Sequence, residues 1–199
     1  MASIPPRDTT KVLLLPTGIG QTKTVTAPKF HYRKASWAND GHTLVVRASE
    51  SDRPLRFWVQ DTAGGSPRAV TPEGVDGLFA TVNHSDYVCA RDATGKVQLY
   101  PIDGGNPKLV AGVSDSDRVV GGSPSAEILY LTPDIAAIPL QVLKLNIRTG
   151  LRQPFVSVWP ADPAGIAGLS PPIFTADEKR YVYTQIRVFS VLYIATGLK

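Results

Sequence analysis

Nucleophilic hydrolysis requires a serine on a sharp turn, and flanking glycines are what allow that turn. The serines that directly follow a glycine lie in Gly65-Ser66-Pro67 and Gly122-Ser123-Pro124, and neither is completed by the second glycine of a Gly-x-Ser-x-Gly elbow. A Ser-His-Asp set gathered from distant positions is the one hydrolytic arrangement left open. The histidines are His31, His42 and His84, and no two of them stand at metal-ligand spacing. His42 directly follows Asp40-Gly41 and is expected to face solvent. Asp115-Ser116-Asp117 begins like a calcium loop but lacks the glycine and terminal glutamate that such a loop needs, so a solvated turn is expected there. Gly18-Ile19-Gly20 has neither the later glycine nor the Lys-Ser/Thr of a phosphate-binding loop. The expectation is a chain that is not an enzyme, with no catalytic set, no cofactor and no metal.

The glycines instead mark strand connections. Apolar runs end in glycine turns at Gly18, Gly64-Gly65, Gly104-Gly105, Gly150 and Gly197, and each turn up to Gly150 is followed by a second short β-favouring run. Counted from the last glycine of each, the intervals are about 40–47 residues. That period, with several short strands per unit, is the mark of propeller blades. Glycine is used at such turns because a tight antiparallel connection needs positive φ. A second element recurs between them. Ala35-Ser36-Trp37-Ala38-Asn39-Asp40-Gly41-His42-Thr43-Leu44-Val45-Val46 reads as strand, Asp-Gly turn, strand, and weaker copies place their turns at Ser85-Asp86, Ser125-Ala126 and Asp177-Glu178.

Each unit therefore reads as inner, second, third and outer strand. The fold class is all-β: a partial propeller of about four blades built of four-stranded antiparallel sheets. After a tail at 1–10, the repeat region at 11–199 divides into units at about 11–26, 30–72, 77–111, 117–157 and 171–195. The first holds a third and an outer strand; the last holds an inner, a second and a third. No window shows sustained helical periodicity, and prolines interrupt most candidates. The stretch 157–168 reads as a loop with room for one helical turn. Phe57, Trp58, Tyr100, Tyr130, Tyr181, Tyr183 and Tyr193 are assigned to packing between adjacent blades.

Composition narrows the function classes. Among 199 residues, 21 basic and 17 acidic side chains are interspersed without a long run of one sign, which argues against nucleic-acid binding. No segment approaches the ~18 apolar residues of a membrane span. The start, Met1-Ala-Ser-Ile-Pro-Pro-Arg, lacks the basic and apolar regions of a signal peptide. A cytoplasmic location is expected for the chain as given, and a fragment of an exported or membrane-anchored parent would read the same. The single cysteine, Cys89, lies in an apolar run and is expected to be a buried thiol.

Ser-Trp-x-x-Asp-Gly followed by Gly-Gly-x-Pro-Arg resembles the repeats of TolB-like propellers, relatives of the WD repeats. The family's first element is Trp-Ser-Pro-Asp-Gly, which Trp37–Gly41 match except at Ala38 and Asn39. Pro160–Gly165, Phe174–Asp177 and Leu192–Lys199 are similar to the C-terminal propeller segments of bacterial serine/threonine protein kinases, although no kinase motif is present. The likeness spans 11–199 but covers fewer blades than the six or more with which such propellers close. It implies a non-catalytic protein-interaction or sensor module. Alternatives are the accessory propeller of a peptidase-like hydrolase and a decayed fragment. By the family's logic, partners dock on the inter-blade connections, so His31, Arg33, Glu73, Asp76, Asp115, Asp117, Arg118 and Asp162 are the candidate rim. An open arc would also expose sheet edges to a protein partner or to self-association.

Overall fold

The computed structural model describes residues 1–190 and 193–194. All regular structure among them is β. The strands are β1 (Ala2–Ser3), β2 (Lys11–Leu14) and β3 (Lys23–Thr26), then β4 (Phe30–Trp37), β5 (Thr43–Glu50), β6 (Arg56–Asp61) and β7 (Arg68–Ala69). Next come β8 (Gly77–Val82), β9 (Ser85–Arg91), β10 (Val97–Pro101) and β11 (Lys108–Leu109), and then β12 (Arg118–Gly122), β13 (Ile128–Thr132), β14 (Leu140–Asn146) and β15 (Arg152–Val158). Four short strands follow: β16 (Ile166–Leu169), β17 (Ile173–Phe174), β18 (Tyr181–Val182) and β19 (Gln185–Arg187).

Three four-stranded antiparallel sheets, β4–β7, β8–β11 and β12–β15, form the body, each in simple sequence order. A three-stranded sheet, β1-β2-β3, precedes them. Ala2 and Ser3, assigned from sequence to a tail, thus pair with Leu14 and Leu13. After the third sheet, β16 pairs with β19 and β17 with β18, which makes one long hairpin interrupted at Pro171-Pro172. Of the stretch 157–168 expected to be a loop with a helical turn, 159–165 is a loop and β15 and β16 take its two ends. Proline has no N–H to donate, so the ladder breaks there, and Ser170 carries it across by donating to the Thr184 carbonyl at 2.8 Å. Gly197 and most of the expected last third strand lie outside the described residues. Tyr193, assigned to inter-blade packing, lies outside any strand and is 86% exposed.

The sheets stack face to face, and alternation along each strand divides its side chains between two cores. Leu44 and Val46 join Val12, Leu14, Val25, Phe30 and Tyr32 on the N-terminal side of β4–β7. Val45 points the other way, to Phe57, Val88 and Tyr100. Cys89, Leu99, Leu129, Leu131 and Leu145 fill the interface between the second and third sheets, and Leu140, Val158 and Leu169 fill that between the third sheet and the hairpin. Burial on both faces explains why β9 reads as the unbroken apolar run Tyr87-Val88-Cys89-Ala90 rather than as an alternating one.

The turn chemistry is local. Asp40 Oδ1 accepts the amides of His42 at 3.0 Å and Thr43 at 2.8 Å, and Gly41 takes φ 73°. The hairpin expected to turn at Ser85-Asp86 instead turns at Asn83-His84, with φ 47° and 63°, and Ser85 and Asp86 belong to β9. Asparagine tolerates this left-handed region, and the turn is fixed from outside: the Asn83 and His84 amides donate to Ser123 at 3.0 Å and Pro124 at 2.7 Å in the next sheet.

Candidate interaction rim

The inner strands β8 and β12 run side by side at the junction of the second and third sheets. A β-carbon on Gly122 would lie 2.6 Å from the Thr81 carbonyl and 2.7 Å from Val82 Cγ2, so only glycine allows this approach. Where the two strands begin, a cleft of about 280 Å³ opens, lined by Asp76, Leu78, Arg91, Asp117, Arg118 and Val119. It gathers three of the expected rim residues, Asp76, Asp117 and Arg118.

These three have different roles. The turn expected at Asp115-Ser116-Asp117 is present with Asp115 and Ser116 exposed, but Asp117 is 1% exposed and forms a buried staple. Its carboxylate accepts the Ser114 amide at 2.7 Å and the Ser114 hydroxyl at 2.6 Å, and it pairs with Arg152 at 2.9 Å. Arg91 closes the same corner by donating to the carbonyls of Gly95, Ser114 and Asp117 at 2.6–2.8 Å. A buried charge persists when it is paired and its remaining lone pairs are satisfied, and this one meets both conditions. Arg118, by contrast, is exposed and has no ion-pair partner among the described residues. Asp76 is exposed too, at 3.3 Å from Arg47. The cleft therefore has a rigid back wall and two opposite charges at its mouth.

The other expected rim residues do not converge on it. Glu73 is paired with Arg53 at 2.6 Å and approached by Arg56 at 3.8 Å. Asp162 binds Arg187 across the last hairpin at 2.8 Å, and that pair and the Ala164 amide hold its carboxyl below the usual range, the amide contributing most. His31 lies 3.4 Å from the Thr9 hydroxyl, and Arg33 and Asp115 are exposed. His42 faces solvent between Asp40 and Asp61, at 3.5 and 4.0 Å. Cys89 borders the cleft from within, and burial pushes its thiol up to about 12, which disfavours the thiolate.

Sequence reasoning missed the opposite end of the sheets. A groove of about 600 Å³ lies between the first and second sheets, edged by Asp40, Asp86, Tyr87, Asp103 and Lys108. Asp86 spans it, accepting the Asn39 amide at 2.7 Å and the Thr81 hydroxyl at 2.6 Å. The Lys108 ammonium sits 5.6 Å above the Tyr87 ring. The recurring Asp-Gly element marks where such a groove begins, but not which side chains line it. Among the described residues no group of three or more His, Cys, Asp or Glu is placed to hold a metal ion. Among the described residues no helix is long and apolar enough to cross a membrane.

No protein-family model matches the sequence, and no curated protein matches it. Solved structures do match in fold. TolB from Acinetobacter baumannii superposes with a TM-score of 0.67 at 15% identity over 95% of this chain and 47% of its own. A putative TolB from Agrobacterium tumefaciens gives 0.68 at 13% identity, over 92% of this chain and 66% of its own. A chain of the Mitotic Checkpoint Complex gives 0.54 at 13% identity, over 87% of this chain and 50% of its own. The chain spans between about half and two thirds of the TolB chains it matches. With its stacked antiparallel sheets in sequence order, it has the fold of a TolB-like β-propeller in part.

Proposed function

We propose that the chain is a non-catalytic protein-interaction module, with the β8–β12 cleft as its docking point. One observation carries the reading: a cleft walled by the fully satisfied Arg91–Asp117–Arg152 network holds two exposed opposite charges, Asp76 and Arg118, at its mouth. Rigid polar groups around an apolar floor of Leu78 and Val119 suit recognition of a polar peptide or loop. That the module accompanies a bacterial serine/threonine kinase is a finer proposal. It is supported by the resemblance of Pro160–Gly165 and Phe174–Asp177 to kinase-associated propeller segments.

The test places a photo-cross-linker at position 118, and separately at Leu151, in extract of the source cell. The expected result is one protein captured from 118 and not from 151. That protein, purified, is then titrated against the native chain and against the Arg118→Glu and Asp76→Lys variants. Arg118 is exposed, so Arg118→Glu should hold stability; Asp76→Lys gives up the Arg47 pair, so its fold is checked by circular dichroism, and in both variants affinity should fall about tenfold or more. Unchanged affinity in both variants, or substrate turnover by the chain alone, would refute the reading.

A further inference from the structure

The charges that line the β8–β12 cleft do not balance. Two carboxylates line it, and each already has a guanidinium: Asp76 lies 3.3 Å from Arg47, and Asp117 lies 2.9 Å from Arg152. Two guanidiniums line it as well, Arg91 and Arg118, and among the described residues neither has a carboxylate at ion-pair distance. Arg91 donates instead to the carbonyls of Gly95, Ser114 and Asp117. Carbonyls satisfy its N–H groups but carry no net charge to cancel its own. Asp115, on the turn before Arg118, is exposed, forms no ion pair among the described residues and lies outside the lining.

The groups left open narrow the occupant further. Arg118 is exposed, and a planar guanidinium offers a carboxylate two parallel N–H groups. On Asp76 one oxygen, Oδ1, takes both the Gly77 amide at 3.0 Å and Arg47, which leaves Oδ2 as an acceptor at the mouth. Between these two polar points the floor is apolar and half-buried, formed by Leu78 and Val119. A nucleic-acid strand needs a track of basic groups to match its phosphates. Here one free guanidinium fork shares the rim with Asp76 and Asp115, which suits a single carboxylate on a protein segment.

We infer that the cleft recognises an acidic segment of a partner protein. One Asp or Glu side chain of that segment pairs with Arg118, a main-chain amide beside it donates to Asp76 Oδ2, and a neighbouring apolar side chain rests on Leu78 and Val119. Arg91, half-buried and fixed by its carbonyls, adds to the positive field without moving. The two charges at the mouth are therefore unequal, because Asp76 is compensated by Arg47 and Arg118 is not. An acidic partner presupposes the docking reading above and adds to it the sign of the charge.

A phage-displayed library of random decapeptides, selected on the full chain and in parallel on its Arg118→Glu variant, tests this. Peptides enriched on the native chain should share one acidic position, and those enriched on the variant should not. The best native-selected peptide is then synthesised and titrated by calorimetry. Changing its shared acidic residue to the amide, or Arg118→Glu in the chain, should each weaken binding about tenfold or more. A lysine at that peptide position should restore binding to the Arg118→Glu variant, which mere unfolding of the variant could not allow. Arg33→Glu, exposed and away from the cleft, should leave the affinity unchanged. Peptides that require Arg118 yet share no acidic residue would overturn the acidic partner and leave the docking reading standing. Tighter binding of inorganic phosphate or of a short oligothymidylate than of any peptide would overturn it too. So would a library in which no peptide distinguishes the two chains, and capture from position 118 would then decide the docking reading by itself.

Discussion

At the residue scale, what a charge does in this protein is set by the groups around it. Asp117 begins as one half of an unremarkable Asp-Ser-Asp run, and its chemistry comes from what surrounds it. The Ser114 amide and hydroxyl and the Arg152 guanidinium fill its lone pairs, so a buried carboxylate becomes tolerable. Asp117→Ala removes the acceptor and strands Arg152, which is one third exposed and keeps some hydration. A loss of about 2–3 kcal/mol is expected, measured as the change in urea-unfolding free energy. Asp115→Ala, two residues away and exposed, should change stability by less than about 0.5 kcal/mol. Arg33 and Arg118 belong to the other kind of charge, the exposed kind, and their removal should be nearly silent in stability.

At the element scale, the C-terminal hairpin is held by a polar clamp on an aromatic bed. Phe174 packs against Tyr130 and Phe155, with ring centroids 4.7 and 4.9 Å away. The Tyr130 hydroxyl donates to Glu178 Oε1 at 2.7 Å, and the Lys144 ammonium, 4.0 Å above the Phe155 ring, pairs with the other oxygen. Burial pushes the Glu178 carboxyl up, but the Lys144 and Tyr130 hydrogen bonds outweigh it and hold the group below its ordinary 4.5. A lowered folded-state value means the ionised clamp stabilises the hairpin fully above about pH 4.5 and is lost as pH falls through the lowered value. Hydrogen exchange of the hairpin amides should therefore rise, relative to that of β13, as pH falls below this point. Glu178→Gln should reduce that pH dependence, leaving the share carried by the lowered Asp162 carboxyl paired with Arg187.

At the scale of the whole molecule, each sheet has its partner's face as core, so the interfaces between sheets are the stability of the fold. Cys89 reports on the central one. It is 2% exposed between Leu99 and Leu129, and burial pushes its thiol up to about 12. At pH 8 it should be silent to a thiol reagent in the native protein. Its modification rate should rise with urea in step with the loss of β-sheet circular dichroism. Labelling well before that loss would mean that the second and third sheets separate while each remains folded.

The strand order and the period were legible from the residues because both are local. Positive φ at Gly41, Gly64, Gly65, Gly104, Gly105 and Gly150 is a backbone requirement that glycine meets and other residues resist, so the turns announce themselves. Two-sided burial leaves apolar runs such as Tyr87–Ala90 that any reading of strands would find. The Asn83-His84 turn was misplaced by two residues because its amides are satisfied by the neighbouring sheet, which no local pattern records. Asp117 and Asp115 are likewise indistinguishable as letters, and one is buried while the other is exposed. Which carboxylate becomes a staple and where a cleft opens between β8 and β12 both depend on groups some 20 to 50 positions apart in the chain. Hydrogen bonding and packing across such distances are decided only when the sheets stack.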